Sequence, residues 1–265
     1  MQPDILQLRQ AVTLRHSVRS FDANPMTDTD RTALEAYAAE ALTFFGNPKA
    51  RIAIIDSTGE TSAPSTYGFI AGCRTYMVLI SSDSTRENRC RAAAAMELCV
   101  LEATRRGLAT CWVGGTFRRS SFADTCHISA SEEILAIVPC GIAAKPRLRD
   151  RFMSAVARSH SRKDPSLLFF DRDTSIPLSA ESPLFAPLEY VRRAPSSTNS
   201  QPWRIIALDD RTFDLCSATD NRYTDLDIGI AMAHIAVAFA PATVTFSRSE
   251  ARYPRLLTFC RCLVG

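Results

Sequence analysis

Lysine is nearly missing from this chain of 265 residues: it stands only at 49, 145 and 163, so arginine supplies almost all of the positive charge. Ordered cysteine patterns are missing too. The nine cysteines, at 73, 90, 99, 111, 126, 140, 216, 260 and 262, are odd in number, include no C-x-x-C pair and have no histidine at zinc-finger spacing. That excludes the usual metal and disulfide frameworks. Several lie in apolar runs such as Leu98-Cys99-Val100, where a reduced thiol serves as a small hydrophobe and suits a reducing compartment. No signal-peptide stretch opens the chain, and no segment approaches the roughly 18 apolar residues of a membrane span, so a cytoplasmic protein with no membrane partner is expected.

Common catalytic signatures are absent as well. There is no G-x-G-x-x-G, P-loop, G-x-S-x-G or H-E-x-x-H, and the histidines at 16, 127, 160 and 234 have no ligand spacing. His234 lies in an apolar helix and reads as a satisfied core histidine. A net charge of only +3, with acids and bases interspersed, argues against a nucleic-acid partner. With 46% hydrophobic and 22% charged residues the chain has an ordinary globular mixture, which excludes wholesale disorder. At roughly 150 residues per domain, the length allows one large domain or two small ones.

The periodicity places an amphipathic stretch at 4–14 and a helix opened by Pro25, Thr27 and Asp30, ended by Gly46-Asn47-Pro48. Residues 51–55 and 75–80 read as buried strands, 90–106 as a central helix closed by Gly107, 131–136 as a short helix, and 136–142 as a strand. Residues 145–183, broken by prolines, read as a connector with one weak helix. A helix with Leu184, Leu188 and Val191 on one face follows, then a turn, a strand at 202–208 and an apolar helix at 229–239. This second series echoes the first: Met232 answers Met96 and Pro202 answers Pro48. A degenerate internal duplication is expected, with a first repeat at 1–150, a connector at 151–181 and a shorter second repeat at 182–265. The expected architecture is α/β (α+β), mixed sheet flanked by helices, with the helices at 90–106 and 229–239 packed as the internal interface.

Three segments carry candidate chemistry. In Arg15-His16-Ser17-Val18-Arg19, alternation along an extended segment turns Arg15, Ser17 and Arg19 to one side, as a phosphate and a neighbouring polar group require; a solvated basic turn explains the same residues. In Ala194-Pro195-Ser196-Ser197-Thr198-Asn199-Ser200-Gln201-Pro202-Trp203, two prolines stiffen a run of amide and hydroxyl groups able to read a heterocycle edge. A helix-to-strand turn with Trp203 in the core accounts for only its last two residues. In Cys111-Trp112-Val113-Gly114-Gly115, paired glycines let backbone approach a flat ligand, though a tight turn is equally consistent.

Together, the R-x-S-x-R-x-F, G-L-x-T-C-W-x-G-G and A-P-S-S-x-N-x-Q-P-W segments resemble the FMN-dependent nitroreductase family over roughly residues 10–240. In the family's ordinary homodimers the A-P-S-S-x-N turn follows the first long helix. Here that place holds Phe45-Gly46-Asn47-Pro48, and the full turn occurs only in the second half. This resembles the branch in which two nitroreductase-like repeats are fused into a single-chain pseudo-dimer. The resemblance implies one composite FMN site: Arg15, His16, Ser17, Arg19, Trp112, Val113, Gly114 and Gly115 from the first repeat, and Pro195, Ser196, Ser197 and Asn199 from the second. It further implies that Lys145 and Arg147 join Arg15 at the phosphate, that Arg19 stabilises the reduced flavin at its pyrimidine edge, and that backbone near Gly114, where family members often carry an acid, meets N5. No side chain is then needed as a catalytic acid or base. NAD(P)H would be the donor, a planar nitroaromatic or quinone the acceptor, and hydride transfer ping-pong. The chain would be a monomer, its mirror site empty for want of a second R-x-S-x-R turn. A flavin-binding or flavin-less scaffold without turnover remains the competing class, because the tail lacks the branch's Gly-x-Trp ending.

Overall fold

The computed structural model describes residues 3–57, 65–150, 161–250 and 252–265. A short 3-10 turn and helix α1 (Arg9–Leu14) open the chain, followed by α2 (Asp28–Phe44). Thr27 caps α2 as its spacing predicts: its hydroxyl oxygen accepts the Asp30 N–H at 3.1 Å. Strands β1 (Ala50–Asp56), β2 (Thr75–Ser81), β3 (Ala109–Thr110) and β4 (Glu133–Gly141) form one antiparallel sheet in the order β1-β2-β4-β3. β2 is buried along its whole length because it is central and covered on both faces.

Helix α3 (Arg86–Arg105) starts earlier than its apolar run suggests, because Thr85 caps a polar first turn. The short helix falls at α4 (Arg119–Cys126), not at 131–136. Glu133, Ile134 and Ala136 are instead taken up by the ladder with Ser81, Ile80 and Leu79 of β2.

The second half supplies β5 (Phe169–Asp171), α5 (Phe185–Arg192), β6 (Trp203–Ala207), β7 (Thr212–Ser217), α6 (Thr224–Phe239), β8 (Val244–Ser247) and β9 (Leu257–Val264). Its sheet runs β5-β6-β7-β9-β8, with β5 parallel to β6 and the other pairs antiparallel. Sheet structure therefore begins within the stretch read as connector, of which residues 151–160, His160 among them, lie outside the described residues.

Helices α3 and α6 lie between the sheets and pack against each other, as the long apolar stretches within them require. At their crossing Gly229 lies so close to α3 that a Cβ there would sit 2.3 Å from the Cys90 carbonyl oxygen. The nine cysteines are all buried free thiols. Among the described residues no helix is long and apolar enough to cross a membrane, and no group of side chains is arranged to hold a metal ion.

Candidate functional site

The Arg15–Arg19 segment runs extended along the rim of the first sheet. Ser17 bridges in parallel to Thr110 of β3, and the Val18 N–H donates to the Thr110 carbonyl at 2.9 Å. A second strut holds its far end: the Phe21 N–H bonds the Ala71 carbonyl at 2.9 Å, and the Ala71 N–H bonds the Arg19 carbonyl at 2.8 Å. That strut needs Gly72, whose φ is +74° and whose missing Cβ would lie 2.1 Å from the Phe21 carbonyl oxygen. The strict alternation of an extended chain then sends Arg15, Ser17 and Arg19 into one cavity, while Val18 packs into the core beneath.

The facing wall comes from the other half. After α5, the Pro195–Asn199 segment folds into a single 3-10 turn with left-handed backbone at Thr198, Asn199 and Gln201. Three such non-glycine residues in four positions are costly, and local bonds sustain them. The Gln201 N–H donates to the Ser196 hydroxyl at 2.9 Å, and the Ser197 N–H to the Asp227 carboxylate at 2.8 Å. Asp227 sits in the first turn of α6. Burial pushes its carboxyl up to about 7, against the hydrogen bonds from Ser197 and Ser200 that favour the ionised form.

Between these walls lies a cavity of about 490 Å³. Of the residues singled out in the sequence, Arg15, Ser17, Arg19, Trp112, Val113, Gly114, Gly115, Pro195, Ser196, Ser197 and Asn199 line it. His16 does not; it is exposed and lines an adjoining cavity of about 1170 Å³, which also reaches Arg15, Ser17 and Arg19. Lys145 and Arg147 line neither. Lys145 is exposed, and Arg147 is bound to Asp150 at 2.9 Å and leans on the Phe69 carbonyl at 3.4 Å. Burial opposes ionisation of Asp150, but the bonds from Arg147 and Ser20 outweigh it and hold the carboxyl below its usual range.

The cation that accompanies Arg15 is instead Arg162, which sequence reading passed over. It lines both cavities, donates to the Arg193 carbonyl at 3.2 Å and to the Asn199 side-chain oxygen at 3.4 Å. Burial, and then the nearby charges of Arg15, Arg192 and Arg193, push its guanidinium down to about 10. Its only signal in the sequence is the basic run Arg162-Lys163 within a charged connector. Arg15 is likewise lowered by burial, with Glu97 opposing, and its Nε is buried without a hydrogen-bond partner among the described residues. A desolvated guanidinium edge with no acceptor is a place for an anion.

The paired glycines, which line the cavity, are also packed against by Tyr223 and Arg222. A Cβ on Gly114 would lie 2.8 Å from the Tyr223 ring, and one on Gly115 2.4 Å from the Tyr223 hydroxyl and 2.8 Å from the Arg222 guanidinium. The room is filled by two side chains from the opposite half, a contact that sequence spacing gives no means of anticipating. Leu226 and Ile230 of α6 complete the apolar wall with Trp112.

One antiparallel and one mixed sheet, a central helix pair and an arginine-lined cavity built jointly by both halves define an α/β protein with an anion-accepting cleft. Comparison with known proteins gives that class a family. The model of the family described as "Putative TM nitroreductase" matches residues 7–239. The chain belongs to this nitroreductase family, and its fold is the nitroreductase fold. A Thermotoga maritima protein solved as a "putative nitroreductase" is similar over 97% of this chain and 92% of its own, at 15% identity and a TM-score of 0.59. A nitroreductase with bound FMN from Bacteroides fragilis is similar over 56% of this chain and 92% of its own, at 16% identity and a TM-score of 0.42. No curated protein matches the chain.

Proposed function

We propose that the protein is an FMN-dependent NAD(P)H oxidoreductase of nitroreductase type, working through one composite site. Nitroreductase-family membership supports the oxidoreductase class. The observation that carries the flavin reading is the meeting, across one cavity of about 490 Å³, of Arg15, Ser17 and Arg19 with Pro195, Ser196, Ser197 and Asn199. That volume is within the roughly 300–1,000 Å³ of small-molecule sites, and the unbonded Arg15 Nε offers the anion contact that a flavin phosphate requires.

In this reading Arg15 and Arg162 hold the phosphate. Arg19, over the Phe69 ring at 5.3 Å, supplies the cation of the pyrimidine side. Trp112, Leu226 and Ile230 keep water from the apolar part of the ring system. The chemistry FMN supplies when bound is two-electron carriage from a nicotinamide to a planar acceptor, for example NAD(P)H + H⁺ + quinone giving NAD(P)⁺ + hydroquinone. The two halves stand in for two subunits, which favours a monomer, and nine buried free thiols favour a reducing, cytoplasmic setting.

The test is anaerobic titration of flavin-loaded protein with NADH and with NADPH. Bleaching of the flavin bands, and their return on adding a quinone or nitroaromatic, is the expected result. Bound flavin that neither donor bleaches would establish the binding protein without turnover, and protein that takes up no FMN would reject the flavin site altogether.

A further inference from the structure

The mouth of the cavity carries a cation that the flavin reading does not use. Arg222 and Tyr223 stand on the loop entering α6, where the Tyr223 N–H donates to the Asn221 side chain and the Asn221 N–H to the Thr224 hydroxyl, both at 2.9 Å. The Arg222 guanidinium lies over the Tyr223 ring, 4.5 Å from its centroid, and also hydrogen-bonds the phenol oxygen. The Tyr223 ring is pressed against Gly114 and Gly115, so the pair is held from both sides of the cleft. Arg222 is exposed, lines the cavity, and has no carboxylate within ion-pair distance among the described residues. The long flexible side chain has thus been given one orientation by an aromatic platform, which lowers the entropy cost of using its planar fork on a ligand.

Among the described residues the cavity is lined, besides Arg222, by Arg15, Arg19 and Arg162, and their one acidic companion is Asp227, whose carboxylate is occupied by Ser197 and Ser200. With the phosphate and pyrimidine contacts assigned to Arg15, Arg162 and Arg19, the positive charge left for a second ligand among the described lining residues is that of Arg222. It stands beside the glycine segment that the family resemblance puts at the reacting edge of the flavin.

We propose that Arg222, seated on Tyr223, is the specificity-determining residue of the acceptor end, and that the site prefers planar aromatic acceptors bearing a carboxylate over neutral analogues of the same shape. The inference rests on the flavin reading above. A charged acceptor gains a charge-assisted hydrogen bond at a guanidinium already oriented by the Tyr223 ring and is drawn in by the field of the arginine-lined cleft. For the acceptor the reaction is ArNO₂ + NAD(P)H + H⁺ giving ArNO + NAD(P)⁺ + H₂O, with the carboxylate itself unchanged.

The experiment compares 4-nitrobenzoate with the near-isosteric, neutral 4-nitrobenzamide in wild type, Arg222→Gln and Arg222→Lys, by kcat/KM and by the perturbation of the oxidised flavin spectrum on binding. Wild type is expected to favour the anion about tenfold or more, with a preference that shrinks as ionic strength rises. Arg222→Gln should bring the ratio close to one, mainly through KM for the anion, with a parallel loss in spectroscopic affinity, and Arg222→Lys should restore part of it. Equal use of both acceptors by wild type, or a preference that survives Arg222→Gln, overturns the proposal while leaving turnover of the neutral acceptor as support for the oxidoreductase. Failure to bind flavin overturns both.

Discussion

Glu97 of α3 and His234 of α6 meet in the centre of the molecule, His234 Nε2 to Glu97 Oε1 at 2.9 Å, with both side chains wholly shielded from solvent. Each has a second partner. His234 Nδ1 donates to the Tyr190 carbonyl at 3.0 Å, and the indole N–H of Trp112 donates to Glu97 Oε2 at 2.6 Å. Since the Tyr190 carbonyl can only accept, Nδ1 carries a proton, and a further proton occupies the space between Nε2 and Oε1. One polar chain thus ties α5, α6, α3 and the cavity-lining Trp112 together across the junction of the two halves.

Removing either member leaves a buried polar group without its partner. Glu97→Ala and His234→Ala are each expected to cost about 3–5 kcal/mol, read from urea unfolding. The double variant should cost clearly less than the two summed, because the second truncation removes a group already orphaned. Additive losses would show that the pair does not act as a unit.

Much of this architecture was legible because its signals are local. Thr27 and Gly107 bound helices by capping chemistry, and α3 and α6 declare their central place by the long apolar stretches within them. The Arg15–Arg19 and Pro195–Asn199 segments were legible for the same reason, since extended alternation and a proline-stiffened turn are written in consecutive residues. What could not be read depends on distant partners. β7 carries Asp214, a poor strand residue, in its middle, and the fully buried carboxylate is satisfied by Ser249 at 3.1 Å, Tyr253 at 2.9 Å and Arg261 at 2.9 Å. The helix expected at 131–136 lost to strand pairing, and Arg162, Asp227 and Tyr223 join the site only through the packing of one half on the other.

The composite cavity makes unequal demands on its two walls. Arg15→Ala removes the desolvated guanidinium itself and should weaken FMN about 10–100-fold by equilibrium dialysis, the effect of one charge-assisted bond. The Asn199 amide donates to the Ser161 carbonyl at 3.0 Å and its oxygen accepts from Arg162, so Asn199→Ala should weaken FMN by a smaller factor, through displacement of Arg162. A loss confined to one of the two variants would show that the site is not shared between the halves.

Arg147 separates the family expectation from the geometry. Its guanidinium is engaged with Asp150, which is buried and also accepts from Ser20. Arg147→Ala is therefore expected to destabilise the fold by about 1–3 kcal/mol through the orphaned carboxylate, while changing FMN affinity far less than Arg15→Ala does. A loss of affinity matching that of Arg15→Ala, with stability unchanged, would return Arg147 to the phosphate.

Asp227 gives the fold a pH dependence whose sign follows from its position. The unfolded chain leaves this carboxyl near 3.8, whereas burial in the folded protein raises it to about 7. The folded state therefore holds the proton more tightly. Its contribution to stability is fully present below about pH 4, declines as pH rises through about 7, and is constant above. Asp227→Asn cannot ionise, yet its side-chain oxygen can still accept the Ser197 N–H, so the substitution removes the slope while keeping the turn. The advantage of the variant over wild type in flavin-free protein should grow between pH 5 and pH 8 by on the order of 2 kcal/mol, measured by urea unfolding at each pH. A difference that stays flat over that interval would mean that Asp227 is ionised throughout, stabilised by the Ser197 and Ser200 bonds despite its burial.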